Sequence, residues 1–155
     1  MDLQTFPKMS NSKVKISIAC DHAGFDLKSQ ITTYLEENNY EVQDLGCDSS
    51  QESVDYPDFA QKVAQKIAKK EADFGVLICG SGIGISIAAN RFKEVRAALC
   101  VNEEMAKLSR LHNDANVICF GARLISKDLA LKALQIFFTT KFEGGRHENR
   151  IRKMS

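Results

Sequence analysis

The sequence predicts a three-layer α/β/α sandwich around a five-stranded parallel sheet. Two observations carry that prediction. Five short runs, Val14 to Cys20, Glu41 to Leu45, Gly75 to Cys79, Arg96 to Val101 and Asn116 to Phe120, have strand character, and four of them are nearly continuous in Val, Ile, Leu, Ala and Cys. Strands covered on both faces read this way. Segments with helical spacing separate the runs, and regular strand–helix alternation is the mark of a parallel sheet between helical layers.

The elements follow in order. Phe25, Leu27, Ile31 and Leu35 recur at helical spacing after the first run. Pro57 suits the first turn of a second helix, which continues through Phe59, Val63, Ile67 and Ala68. Ile83, Ile87 and Ala88 begin a third, and Met105, Leu108 and Leu111 mark a fourth. Leu129 to Phe138 is a strongly apolar fifth. The charged segment Glu143 to Lys153 is expected to extend as a helix after Gly144-Gly145.

Composition narrows the function. Of 155 residues, 44% are hydrophobic and 26% charged, ordinary values for a globular chain. The net charge of +1 leaves no broad basic face for nucleic acid or an anionic membrane, so an anion site must come from a few placed arginines. No apolar stretch reaches the roughly 20 residues of a membrane span. Residues 1–12 are polar and are expected to form a flexible extension, with residues 13–155 as one domain. The five cysteines are odd in number, widely spaced and without a Cys-x-x-Cys pair. That pattern speaks against a disulfide framework or structural zinc and for a reducing cytoplasm. Cys100 and Cys119 are expected to be small buried hydrophobes.

Ligands of parallel sheets sit at the carboxyl ends of the strands, so the loops there are the candidates. Asp21 and His22 follow the first strand; the Asp also suits a helix cap. Cys79-Gly80-Ser81-Gly82-Ile83-Gly84 follows the third and runs into a helix. Alternate glycines let backbone N–H groups close on an anion or oxyanion, although they also suit a plain tight turn. Neither a Walker loop nor a dinucleotide fingerprint fits, since no Lys-Ser or Lys-Thr follows and Ile85 replaces the third glycine. A thiol phosphatase would place an arginine where Ile85 stands. A helix N-terminus favours a thiolate, so Cys79 is a candidate nucleophile or general base. His112 and Asn113 close the fourth helix, where a His can also cap carbonyls and an Asn can simply stop the helix. Arg123 follows the fifth strand, and Arg146 and Arg150 share one face of the last helix. Paired guanidinium forks suit a phosphate dianion, while a solvated basic tail is the plainer alternative.

Five segments in this order resemble a known family: Cys20-Asp21-His22-Ala23-Gly24; Asp55-Tyr56-Pro57; Cys79 to Asn90; Ser109-Arg110-Leu111-His112-Asn113-Asp114; and Phe142-Glu143-Gly144-Gly145-Arg146-His147. The chain is similar over residues 13 to 152 to the ribose-5-phosphate isomerase B family, which includes galactose- and allose-phosphate isomerases. The resemblance implies a Rossmann-like sheet of order 2-1-3-5-4 and metal-free, cofactor-free conversion of ribose 5-phosphate to ribulose 5-phosphate through a cis-enediolate. It implies Cys79 as general base, because the alternative glutamate of one branch is Ile85 here, with Ser81 assisting and His112 protonating the ring oxygen. It implies that the backbone of Gly80, Gly82, Ile83 and Gly84 holds the enediolate oxygen. Asp21, His22 and Asn113 would bind sugar hydroxyls, with Tyr56 lining the pocket. Arg123, Arg146 and Arg150 would bind phosphate, in a homodimer or dimer of dimers with shared sites. The competing readings are a six-carbon sugar phosphate isomerase and, in a different class, a non-catalytic flavin- or nucleotide-binding module.

Overall fold

The computed structural model describes residues 12–155; the expected N-terminal extension lies outside them but for Ser12. The strands are β1 (Lys15–Cys20), β2 (Glu41–Asp44), β3 (Phe74–Cys79), β4 (Ala97–Leu99) and β5 (Val117–Gly121). All neighbours pair in parallel, in the order β2-β1-β3-β5-β4 that the resemblance implied. The helices are α1 (Phe25–Glu37), α2 (Tyr56–Ala68), α3 (Ile83–Ala89), α4 (Glu103–Asn113), α5 (Lys127–Thr139) and α6 (Arg146–Arg152), with a 3-10 turn at His22–Gly24.

Alternation along each strand sends side chains to two separate cores. Ile16, Ile18, Val76, Ile78, Ile118 and Phe120 pack with Leu27, Ile31 and Leu35 of α1 and Leu134 and Phe137 of α5. Ala19, Leu77, Cys79, Val117 and Cys119 pack instead with Val63 and Ile67 of α2 and Ile85 and Ala89 of α3. Cys100 and Cys119 are buried as expected, and burial pushes both thiols up, Cys100 to about 11.

One strand is much shorter than its sequence run. The edge strand β4 keeps only Ala97–Leu99 of Arg96 to Val101. The last helix begins at Arg146, directly after Gly144-Gly145 as expected, because Gly144 (φ 73°) and Gly145 (φ 59°) hold left-handed backbone that a right-handed helix cannot pass through.

One buried charge stitches α1 to the segment after β2. Lys28 is 1% exposed, and its Nζ donates to Asp44 Oδ1 (2.6 Å), Asp44 Oδ2 (2.8 Å) and the Cys47 carbonyl (2.7 Å). The same carboxylate accepts from the Gly46 N–H, and Gly46 and Cys47 bond in turn to the backbone of Cys20. The ammonium is therefore fully paired, and losing its partner leaves a charge in the core. Asp44→Ala should cost about 2–3 kcal/mol. Lys28→Met, which keeps the volume and removes the charge, should cost less. Urea midpoints of the two variants check the order, and a larger loss for Lys28→Met would refute it.

Candidate active site

At the carboxyl edge of the sheet, three loops converge on Cys79. Cys79 ends β3 and is 4% exposed; its Sγ accepts a hydrogen bond from the Gly82 N–H at 3.2 Å. Gly82 sits at φ 77°, and a Cβ there would lie 2.5 Å from Leu99 Cδ1 and 2.8 Å from the Phe120 backbone. Only glycine lets the loop turn this tightly over the sheet. Ser81 Oγ accepts from the Ile83 N–H at 3.2 Å, and the Ser81 backbone lies against Gly121. The loop after β5 is bolted on by two bonds, Ala122 N–H to the Cys79 carbonyl (2.8 Å) and Arg123 N–H to the Gly80 carbonyl (3.0 Å). The Arg123 guanidinium covers Gly80, and the Tyr56 ring, at the start of α2, covers Gly84.

Asp21 and His22 reach the same edge from β1. Asp21 Oδ1 accepts from the N–H groups of Ala23 (3.0 Å) and Gly24 (3.3 Å), so the capping reading of this residue holds for that oxygen. His22 Nδ1 accepts from the Val54 N–H at 3.1 Å, which places the proton of the neutral ring on Nε2. Ile85 is fully buried in the apolar cluster with α2, out of contact with solvent.

The remaining expected residues form a second group. His112 and His147 stack at 4.4 Å between ring centroids and 16° between planes. Both Nε2 atoms approach Glu143 Oε2, at 3.7 and 3.6 Å. Arg146 and Arg150 are exposed on α6, and neither pairs with a carboxylate among the described residues. Asn113 is the last residue of α4, but the left-handed residue that stops the helix is Asp114 (φ 44°). Arg110 is structural. It bonds Asp114 Oδ1 (2.8 Å) and the Ala115 (2.6 Å) and Thr140 (3.2 Å) carbonyls, beneath Phe74 and Phe137, and so fixes the end of α4 that carries His112.

These two groups do not meet within one chain. Helix α4 starts just beyond the carboxyl end of β4 and returns to the start of β5, where Asn116 bonds to Arg96. Its 11 residues traverse about 16 Å. Cys79 pairs with Gly121 at the far end of β5, which rises by about 3.3 Å per residue. Asp21, His22, Tyr56, Cys79 to Gly84 and Arg123 thus occupy the carboxyl edge, while His112, Asn113, Arg146 and Arg150 occupy the amino edge.

A doubly covered parallel sheet with a thiol cradled in a glycine loop at its ligand edge defines an α/β enzyme domain. The chain belongs to the ribose/galactose isomerase family, whose model matches residues 16–154. It is 47% identical over 137 residues to ribose-5-phosphate isomerase B of Escherichia coli, covering 88% of this chain and 91% of that protein. The structure superposes on a ribose 5-phosphate isomerase from Thermotoga maritima with a TM-score of 0.90 at 53% identity, over 92% of this chain and 98% of that one. The ribose-5-phosphate isomerase B of Mycoplasma genitalium, solved with bound ribulose 5-phosphate, gives a TM-score of 0.87 at 44% identity, over 91% and 93%.

Sequence reasoning gave no role to Glu143 and left the task of His147 undefined. Their i,i+4 spacing was the available signal, weakened by the intervening glycines. His147 is 5% exposed, and its Nε2 has no hydrogen-bond partner among the described residues. Burial, then the neighbouring His112 and Arg146, hold this imidazole below the ordinary histidine value of 6.5. The unfolded chain therefore takes up the proton at higher pH than the folded one. The stability this group contributes is complete above 6.5 and is lost as pH falls through the folded value. His147→Gln should flatten the acid side of a plot of melting temperature against pH, and an unchanged acid limb would contradict this.

Proposed function

We propose that this chain interconverts ribose 5-phosphate and ribulose 5-phosphate, within a reducing cytoplasm, in a homodimer whose sites each combine a carboxyl edge from one copy with an amino edge from the other. The observation that carries the reading is the loop from Cys79 to Gly84. It sets a thiol beside backbone donors at the ligand edge of a chain 44–53% identical to ribose 5-phosphate isomerases.

The chemistry then proceeds by proton transfers alone. His112 gives a proton to the ring oxygen as the ring C–O bond breaks, and the anomeric hydroxyl releases its proton to water as its O–H electrons form the aldehyde. The Cys79 thiolate removes the C2 proton, and the electron pair moves through C1 onto the carbonyl oxygen to form the cis-enediolate. Backbone N–H groups of the glycine loop stabilise that charge where it develops. Collapse of the enediolate returns the proton from the Cys79 thiol to C1, while the C2 hydroxyl proton passes to the C1 oxygen and the C2 carbonyl forms. Ser81 assists beside the base. Asp21, His22 and Asn113 hold hydroxyls, with Tyr56 along the wall. Arg123, Arg146 and Arg150 bind the phosphate, so that its binding energy orients the reacting carbons. No step calls for a metal or an organic cofactor.

Two features support the shared site. The two groups of residues lie at opposite edges of the sheet in one chain, with the length of α4 between the edges, so one pentose phosphate does not reach both. Ile83, Ile87, Val101, Met105 and Leu124 are exposed large apolar residues around the starts of α3 and α4 and the loop after β5, a surface suited to a second copy.

Cys79→Ala should lower kcat on ribose 5-phosphate by roughly a thousandfold, with wild-type turnover unaffected by EDTA. Retained activity in the variant would remove Cys79 as the base. Parallel assays on allose 6-phosphate and galactose 6-phosphate test the six-carbon reading, which the family description keeps in view; faster turnover there would replace the pentose. Subunit mixing tests the shared site. Reassociating Cys79→Ala with His112→Ala should restore about a quarter of wild-type activity, because half of the mixed dimers' sites recover both residues. No recovery on mixing would place both residues in one chain's site.

A further inference from the structure

We propose that His112, Glu143 and His147 form a binding site for a divalent transition-metal ion such as zinc, and that filling it arrests turnover. One nitrogen of each histidine and one Glu143 oxygen lie within 4.8 Å of one another. Two imidazoles and a carboxylate are a donor set that suits zinc and its neighbours rather than magnesium or calcium.

A second observation points the same way. His147 is nine-tenths buried or more, and its Nε2 faces this cluster without a hydrogen bond among the described residues. Glu143 Oε2 stands at 3.6 Å from His147 Nε2 and 3.7 Å from His112 Nε2. Both are too long for a hydrogen bond. A tetrahedral ion with ligands at about 2.0–2.1 Å spaces its donors about 3.3 Å apart, so the carboxylate oxygen needs to close by only a few tenths of an ångström. The stacked rings must tilt together somewhat more. Glu143 is exposed, and the hydrogen bond it makes among the described residues is from its backbone N–H to the Leu111 carbonyl, so its side chain can make that movement. Three protein donors leave a fourth position for water.

The site would be inhibitory rather than catalytic. An ion on His112 Nε2 takes the lone pair that carries the proton to the ring oxygen. This consequence rests on the role proposed for His112; the binding itself does not.

The test is zinc titration of chelator-stripped protein by calorimetry, together with the visible spectrum of the cobalt adduct. Wild type is compared with His147→Ala, Glu143→Gln and Cys79→Ser. Zinc affinity should fall by about tenfold or more in the first two variants and stay at the wild-type value in Cys79→Ser. Wild-type turnover of ribose 5-phosphate should fall with zinc occupancy and return on adding EDTA, and Glu143→Gln should need about tenfold more zinc for the same inhibition. Because Glu143 is exposed, its variant reports on the site even if His147→Ala fails to fold. Unchanged zinc affinity in Glu143→Gln, or loss of binding in Cys79→Ser, would overturn the proposal, the latter by placing the ion on the thiol. Zinc held by these residues with turnover unaffected would overturn the inhibition and the role of His112 while leaving the site standing.

Discussion

The direction of the strands is the constraint on which everything else depends. A parallel sheet returns to its own start after each strand, and the returning helix must run against the strands. Residues after a strand and residues at the end of the next helix are therefore held at opposite edges of the sheet. Here that separation sorts the chemistry. The thiol and its glycine loop belong to the strand ends, and the stacked histidines and exposed arginines belong to the helix ends.

Most of the architecture was legible because local and long-range demands agree. Val76, Leu77 and Ile78 must be buried on both faces, and no other use of such a run fits between two amphipathic helices. The glycine loop was legible for the same reason, since its alternate glycines begin directly after the strand end at Cys79. The start of α6 was legible from Gly144-Gly145, whose left-handed backbone keeps the helix from beginning earlier. What stayed hidden has physical causes. Helix direction decides which edge His112 reaches, and its place in the chain alone does not show that edge. Lys28 looks like an ordinary surface residue until Asp44 and the Cys47 carbonyl close around it.

Rigidity is unevenly distributed over the two edges. At the carboxyl edge the thiol loop is tied to β5 by backbone bonds from Ala122 and Arg123, and Asp21 is fixed by its own cap. That suits groups that must meet a developing charge without reorganising. At the amino edge Arg110 anchors the end of α4, yet Arg146 and Arg150 project from a short helix behind two glycines. Such side chains suit a ligand's phosphate, which needs to be held but does not react.

The buried Ile85 has a bearing on how this family can change. Its side chain fills the apolar layer behind the glycine loop, packed with α2 and without access to water. A carboxylate at this position would be cut off from solvent and driven to its neutral form unless the surrounding residues changed with it. A carboxylate at this position therefore requires the α2 and α3 side chains packed around it to change as well.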